Sequence, residues 1–493
     1  MILRIVQYGR AARGYPNFIP EFILHLEFPA VSPVRYGSMN TEARNLIIIG
    51  AGPAGLMAAA QAERSLTAAG LFDFRDPRTA PSILILEKKS RPGRKLLVSG
   101  SGRCNISHTG DVSDFLHHYG TLDGGRRKFL KSILHGFTPE ILAEFFDRGG
   151  LSFKELNEGK LFPESEKSID VLKFLLRAAG DAVVSISCGD PVTRIIKQAV
   201  PGDSWAGNSS LFTIETASGT VHKAAAVILA TGGASWPKTG SNGDGYQFAE
   251  TLGHTVISPQ PALTSIGIEN YPFSGLSGIS LAVGIRFTGR SGRPRRVNGD
   301  LLFTHRGLSG PVILNNSRYF SPDDTIEFSF SNLSTSDLHN LLTSPENTSG
   351  GRLLRRELRR LNLPDRFIRL LLRTAAGSEE QKLAELSKKN RQKIIQHLTS
   401  WPLKISRLDG WNTAMVTAGG IDLSEVNPKT LESRLVPGLY FAGEILDIDG
   451  DEGGYNLQFA FSSGAVSGRA AAGALIEKNS AGYDTDGNSP VQV

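Results

Sequence analysis

Two cysteines in 493 residues, Cys104 and Cys188, are too few for a disulfide framework, and neither stands in a C-x-x-C pair, so no redox dithiol is encoded. No apolar run reaches the roughly eighteen residues that a membrane-spanning helix requires. The first 38 residues carry several arginines but lack the apolar core and small-residue cleavage site of a signal peptide. These absences point to a soluble, cytoplasmic chain. The net charge of +6 over this length permits acidic partners without demanding them. A translation start at Met39 is expected, which makes 1–40 an extension, and the polar, glycine-dotted stretch 479–493 is expected to be a disordered tail.

The most informative stretch is "NLIIIGAGPAGLMAAAQAE", from Asn45. Four apolar residues, Leu46 to Ile49, run into Gly50-x-Gly52-x-x-Gly55, and an alanine-rich helical segment follows through Pro53 and Ala54. Gly50 allows the sharp turn, Gly52 lets the backbone approach a pyrophosphate, and Gly55 lets the helix pack on the strand. The helix N-terminus supplies free N–H groups and a positive dipole. A second apolar strand, "SILILE", ends in Glu87, placed to bond a ribose hydroxyl, with Lys88 behind it. The acid lies further on than the usual spacing of about twenty residues. A longer helix end and loop, "AAGLFDFRDPRTAP", is expected to fill the difference.

Amphipathic helices are predicted around 138–148 and 168–179. Strands are predicted at "AVVSIS", "TRIIKQ", "LFTIET" and "AAAVILATGG", the last continuous and apolar enough for a central position. From 255 the pattern turns to strands broken by glycine and proline, and from 334 to about 400 it is helical and basic. It returns to β-type over 401–416, then to an apolar strand "GLYFAGE" and an alanine-rich helix within 417–478. The order implies an α/β Rossmann-type domain, 41–254 with 417–478, interrupted by a β-rich domain, 255–333 with 401–416, that itself carries a helical insert, 334–400.

The closing stretch favours FAD over NAD as the nucleotide. In flavoproteins a C-terminal strand commonly brings a Gly-Glu or Gly-Asp pair to the ribityl chain, and the next helix turns its N-terminus to the flavin. Gly443-Glu444 and the helix after Asn456 suit those roles. The alternating Asp447, Asp449 and Asp451 resemble a calcium loop, but Glu452 stands where the glycine is needed and Gln458 where the bidentate acid is needed, so no metal is expected.

Six ordered blocks, "GRKLLVSGSGRCN", "GKLFPESEKSIDVL", "ILATGGASWPKTGSNGDGYQFAETLGH", "LLFTHRGLSGPVIL", "VTAGGIDLSEVNPKT" and "GLYFAGE…GGYNLQFAFSSG", together resemble the BaiN-like flavoproteins, also called the aminoacetone oxidase family. The resemblance spans most of the chain from Asn45 to Ala472. It implies a glutathione-reductase-like FAD domain interrupted by a β-barrel-like domain with a small helical insert. Trp236 and Asn242 depart from it, standing where tyrosine and threonine are expected. It places Lys95, Ser99, Gly100, Gly102, Arg103, Cys104 and Asn105 along the FAD, with Thr231, Gly232 and Gly233 beside its adenosine part and Gly454, Tyr455, Asn456 and Gln458 at the flavin end. Asp244 is either part of this block's function or a plain helix cap.

For catalysis, Cys104 is either a reactive thiolate or a small packed thiol beside the cofactor, and no second cysteine or adjacent base supports the former. His305 and Arg306 in "FTHRGLSGP" are candidates for substrate contact, His305 as proton donor, although a histidine in such a turn also serves as a local cap. The expected activity is an FAD-dependent oxidoreduction of a small organic substrate with NADH or NADPH as donor. No second G-x-G-x-x-G marks a nicotinamide domain. Two alternatives stand beside it: a flavin-dependent tRNA-modifying enzyme, suggested by the arginine-rich 351–373 segment, and a non-catalytic FAD protein. Against the RNA alternative, Leu353, Leu354, Leu361, Ile368 and Leu372 form an apolar stripe that makes the arginines an ordinary solvated face. Nucleic acid is therefore not the expected partner.

Overall fold

The computed structural model describes residues 43–70, 82–120, 123–156, 158–180, 184–198, 211–290, 292–344 and 352–483. The expected N-terminal extension, most of the long loop before the second strand, and residues 484–493 lie outside them. The described chain divides into two compact units. One comprises Ile266–Ile313 and Tyr319–Arg407; the other comprises 43–265, Leu314–Arg318 and 408–483.

The second of these is built on a seven-stranded sheet. Strand β1 (Ala43–Ile49) is central, with β2 (Ile83–Glu87) parallel on one side and Val221–Leu229 parallel on the other. Val184–Cys188 extends the sheet beyond β2. The outer edge of Val221–Leu229 is shared. Its first half pairs antiparallel with Leu211–Thr216, which pairs in turn with Val192–Gln198, while its last three residues pair in parallel with Leu439–Phe441. Five parallel strands therefore end on one edge, at Ile49, Glu87, Cys188, Leu229 and Phe441. Such an edge is where open α/β sheets bind ligands. β1 and its neighbours are apolar without alternation because both faces are covered.

Helix α1 (Pro53–Ala68) and the closing helix Tyr455–Tyr483 meet through small residues. A Cβ added at Gly464 would lie 2.3 Å from the Ala54 carbonyl oxygen, and one at Gly468 would lie 2.2 Å from that of Ala58. Glycine and alanine in both helices thus set the contact distance. The closing helix runs five residues into the segment expected to be a tail. A helix at Gly124–Gly136 escapes the periodicity reading, since its Gly-Gly start and clustered basic residues obscure the buried stripe of Phe129, Leu130, Ile133 and Leu134.

The other unit is a closed six-stranded barrel with helices. Its strands show period-two burial: Val283, Ile285 and Phe287 point inward from Ser280–Phe287, as do Trp401, Leu403 and Ile405 from Trp401–Leu408. The helices between its fifth and sixth strands include Asp365–Ala376, whose Phe367 packs 4.7 Å from Phe330 by ring centroid. The domain boundary differs from the sequence reading. Val256–Ala262 pairs with Val416–Ile421 inside the sheet-bearing unit, so the barrel begins at Ile266 and ends at Arg407. Alternation identifies these segments as strands but says nothing about their partners.

Candidate functional site

The glycine turn opens the site. Gly50 has φ of +108°, and a Cβ there would lie 2.4 Å from the Ala230 carbonyl oxygen. A Cβ on Gly55 would lie 1.9 Å from the carbonyl oxygen of Gly50. Around Gly52 no atom lies within 4 Å of a built Cβ. Two glycines are thus required by protein packing, and the third faces open space at the N-terminus of α1. Pro53 occupies the first turn, where a missing N–H costs nothing. The Glu87 carboxylate accepts the Ala51 N–H (3.0 Å) and the Lys89 N–H (2.9 Å), which ties the turn to the end of β2. Each oxygen keeps a lone pair for a further donor.

The "GRKLLVSGSGRCN" loop is wound tightly. Gly100, Ser101, Gly102 and Cys104 all have positive φ, and the Cys104 N–H donates to the Ser99 carbonyl (3.0 Å). Two non-glycine residues in the left-handed region mark a conformation imposed by its surroundings. Cys104 is fully buried, and burial pushes its thiol up to about 12, partly opposed by a hydrogen bond with Ser99. Essentially no thiolate exists at neutral pH, which favours the packed-thiol alternative. Arg103 lies at the surface, 4.9 Å over the Phe162 ring and 3.4 Å from Glu166.

Lys88 and Lys95 are engaged by the protein rather than left for a phosphate. Lys88 pairs with Asp244 at 2.6 Å and bonds Asn242. Asp244 opens the helix Asp244–Thr251 without capping it, so the ion pair replaces the cap alternative. Lys95 donates to Glu444 Oε2 (2.6 Å) and Ser235 Oγ (2.5 Å). The other oxygen of Glu444 receives the Thr417 N–H (2.8 Å) and the Ser235 hydroxyl (3.0 Å). Ser235 and Thr417, both fully buried, are functional neighbours that motif reading misses. Gly233 belongs to the same cluster, because a Cβ there would meet Thr417 Oγ1 at 2.2 Å. Gly232 and Gly443 have φ of +75° and +76°, so both need glycine.

At the closing loop the polar residues are bonded to one another. Asn456 closes the 450–456 turn, its Oδ1 accepting the Gly450 N–H (2.8 Å) and its Nδ2 donating to the Gly450 carbonyl (2.9 Å). Gln458 is fully buried and engages Ser107 (2.6 Å) and Ser462 (3.0 Å). Gly454 abuts the Ser107 carbonyl, and the ring of Tyr455 stacks on His118 with centroids 4.3 Å apart. The three aspartates bind arginines: Asp447 pairs with Arg126, and Arg318 bridges Asp449 (3.0 Å) and Asp451 (3.1 Å). Burial raises the Asp449 pKa, and the Arg318 guanidinium opposes the rise. No group of metal-binding side chains is found among the described residues.

Two uncharged buried side-chain oxygens in this site lack a hydrogen-bond partner among the described residues: Asn105 Oδ1 and Thr231 Oγ1. Both residues belong to blocks placed along the FAD. A buried polar atom left unpaired costs about 1–3 kcal/mol, and native proteins keep few of them. Open space at Gly52, the N-terminus of α1 and these two oxygens suit a dinucleotide, and Glu87 remains placed for its ribose. His305 and Arg306 belong to the barrel unit, exposed on the turn after strand Arg295–Phe303. There the Arg306 carbonyl accepts from Arg407 (3.4 Å).

Residues 44–470 match the HI0933-like protein Rossmann domain family. The chain is 31% identical to the ribosomal RNA dihydrouridine synthase of Escherichia coli, over 85% of this chain and 95% of that protein. It is likewise 31% identical to the 3-dehydro-bile acid delta(4,6)-reductase of Clostridium scindens, over 86% of this chain and 98% of that protein. Among solved structures it resembles the E. coli quinol fumarate reductase subunit FrdA, with a TM-score of 0.43 and 16% identity over 92% of this chain and 72% of that one. No helix among the described residues is long and apolar enough to cross a membrane.

Proposed function

Because the chain belongs to the HI0933-like family of FAD-binding Rossmann proteins, the BaiN-like oxidoreductases, we propose that it reduces a carbon–carbon double bond conjugated to a carbonyl, with NADH or NADPH as electron donor. The observation that carries this reading is the cradle at the ends of five parallel strands, where the open Gly52 backbone lies in the same site as two partnerless buried oxygens. The relatives' names supply the bond type. A dihydrouridine synthase adds hydrogen across the uracil double bond, and a delta(4,6)-reductase acts on double bonds conjugated to a ketone. FAD, when bound, supplies the hydride.

In this reading Gly50, Gly52, Pro53, Ala54 and Gly55 hold the pyrophosphate, Glu87 the ribose, and Thr231 and Asn105 donate to or accept from the cofactor. Lys95, Ser235 and Thr417 orient Glu444 and so shape the wall beside it. His305 is the candidate proton donor and Arg306 its neighbour at the substrate, with Cys104 confined to packing.

The test is an anaerobic absorbance titration of the flavin-loaded protein with NADH and, separately, NADPH. Reoxidation by a conjugated steroid enone and by an unmodified ribosomal RNA fragment is then followed. Bleaching followed by reoxidation is expected. Bleaching by neither donor removes the nicotinamide assignment, and a bleached flavin that neither acceptor reoxidises removes the double-bond chemistry. A His305→Gln variant is expected to slow reoxidation at least roughly tenfold while leaving bleaching unchanged; equal rates would dismiss His305.

A further inference from the structure

At the start of the closing helix, the sheet-bearing unit brings two imidazoles against one phenol ring. His118 lies nearly parallel to Tyr455, with centroids 4.3 Å apart and planes at 12°, and His108 lies 5.1 Å from the same ring at 16°. Both histidines are half-buried, and Tyr455 is buried. Each imidazole spends one nitrogen on the protein. His108 Nδ1 lies 2.7 Å from the Thr109 carbonyl oxygen, and His118 Nδ1 lies 3.4 Å from Asp451 Oδ2. A carbonyl and an ionised carboxylate only accept, so both Nδ1 atoms carry a proton. Among the described residues neither Nε2 has a hydrogen-bond partner.

Of the two, His118 is the more firmly held. Asp451 Oδ1 accepts from Arg318 at 3.1 Å, and the Arg318 side chain is only 4% exposed. The Asp451 N–H donates to the His118 carbonyl (2.6 Å), the Gly120 N–H to the Asp449 carbonyl (3.0 Å), and the Tyr119 hydroxyl to the Tyr455 carbonyl (2.8 Å). The backbone at and after His118 is thus tied to the closing loop, a carboxylate orients the ring, and a buried guanidinium orients the carboxylate. An imidazole fixed at Nδ1 by a carboxylate and free at Nε2 is the arrangement in which histidine acts at Nε2. The preceding residue gives the contrast: His117 is exposed, and its side chain has no partner among the described residues.

We propose that His118, oriented by Asp451, donates a hydrogen bond from Nε2 to the carbonyl oxygen of the conjugated substrate. This rests on the double-bond reductase reading, with the flavin at the start of the closing helix, and names the residue that polarises the acceptor. Hydride arriving at the β-carbon forms the new C–H bond and breaks the carbon–carbon π bond, and the displaced electron pair leaves negative charge on the carbonyl oxygen as an enolate. The α-carbon then takes up a proton from the donor of that reading, which restores the carbonyl. His118 gains and loses no atom. Because its Nδ1 proton is committed to Asp451, Nε2 donates only as the imidazolium, so a full positive charge meets the developing negative one.

The test uses the full-length, flavin-loaded protein reduced with dithionite, so that no nicotinamide step enters. Reoxidation by a conjugated steroid enone is expected to slow about 100-fold in His118→Asn. His117→Asn keeps the wild-type rate, and both variants keep the wild-type Tm. Binding separates contact with the substrate from a structural role. A phenolic steroid, whose ionised oxygen stands for the enolate oxygen, is titrated into the oxidised protein and followed through the flavin absorbance band. His118→Asn is expected to weaken that phenol at least roughly tenfold and to leave the same steroid without the oxygen unaffected. Equal reoxidation rates overturn the proposal, as does a slower rate with phenol affinity unchanged, or wild-type protein that does not bind the phenol. Wild-type protein that neither an enone nor an RNA fragment reoxidises removes the reductase reading instead, and the phenol titration then decides His118 by itself.

Discussion

The cradle has two walls of opposite character. At the glycine turn, Gly52 has open space around it, and the buried oxygens of Asn105 and Thr231 have no hydrogen-bond partner among the described residues. At the closing loop, Asn456 spends its hydrogen-bonding capacity on the Gly450 backbone, Gln458 on Ser107 and Ser462, and Glu444 on Lys95, Ser235 and Thr417. Residues of both walls come from motifs that look equally functional in the sequence. The difference is that the first wall is complete only with a ligand, whereas the second is already complete and holds its shape without one.

The sharpest way to break that comparison is within the glycine motif. Gly55→Ala puts a Cβ 1.9 Å from a backbone oxygen and is expected to abolish soluble, yellow protein, a loss beyond about 4 kcal/mol. Gly52→Ala is expected to fold normally and bind FAD at least roughly tenfold more weakly, as read by flavin release against thermal melting. If both variants fail to fold, Gly52 is a packing residue too.

On the closed wall, Gln458→Leu removes the 2.6 Å partner of the Ser107 hydroxyl and is expected to cost about 1–3 kcal/mol of stability in denaturant titration, with the bound flavin spectrum unshifted. A large spectral shift would put Gln458 in contact with the cofactor after all. On the open wall the signs differ. Thr231→Val removes an unpaired buried oxygen, so the FAD-free protein is expected to be as stable as wild type or more so, while FAD affinity drops by about 1 kcal/mol. Lower stability of the FAD-free variant would show that Thr231 is satisfied without a ligand. The smallest effect is expected at Cys104→Ser, with flavin spectrum and turnover unchanged, because a thiol held near 12 is no nucleophile at neutral pH. Loss of turnover would restore the thiolate alternative.

Much of the frame was legible in the chain because its signals are local. Unbroken apolar runs at Leu46–Ile49 and in "AAAVILATGG" mark strands covered on both faces, and the spacing of three glycines marks a tight turn into a helix. The helix Gly124–Gly136 and the pairing of Val256–Ala262 with Val416–Ile421 were not legible. One lacks a clean stripe, and the other joins segments more than 150 residues apart. For the candidate site the same division holds. Residue types were readable, but whether Lys95 faces a phosphate or Glu444 depends on which strands end side by side.

By itself, then, the sequence determined where the backbone must turn, which strands are buried, and which polar residues have chemistry to offer, since these follow from sterics and hydrophobic period within short windows. Only the tertiary structure decided which of those polar groups are already partnered and which are left waiting. Hydrogen bonds and ion pairs between Lys95 and Glu444, or Ser107 and Gln458, join residues about 350 apart in the chain. Their existence depends on distance and direction in three dimensions, which no local pattern encodes.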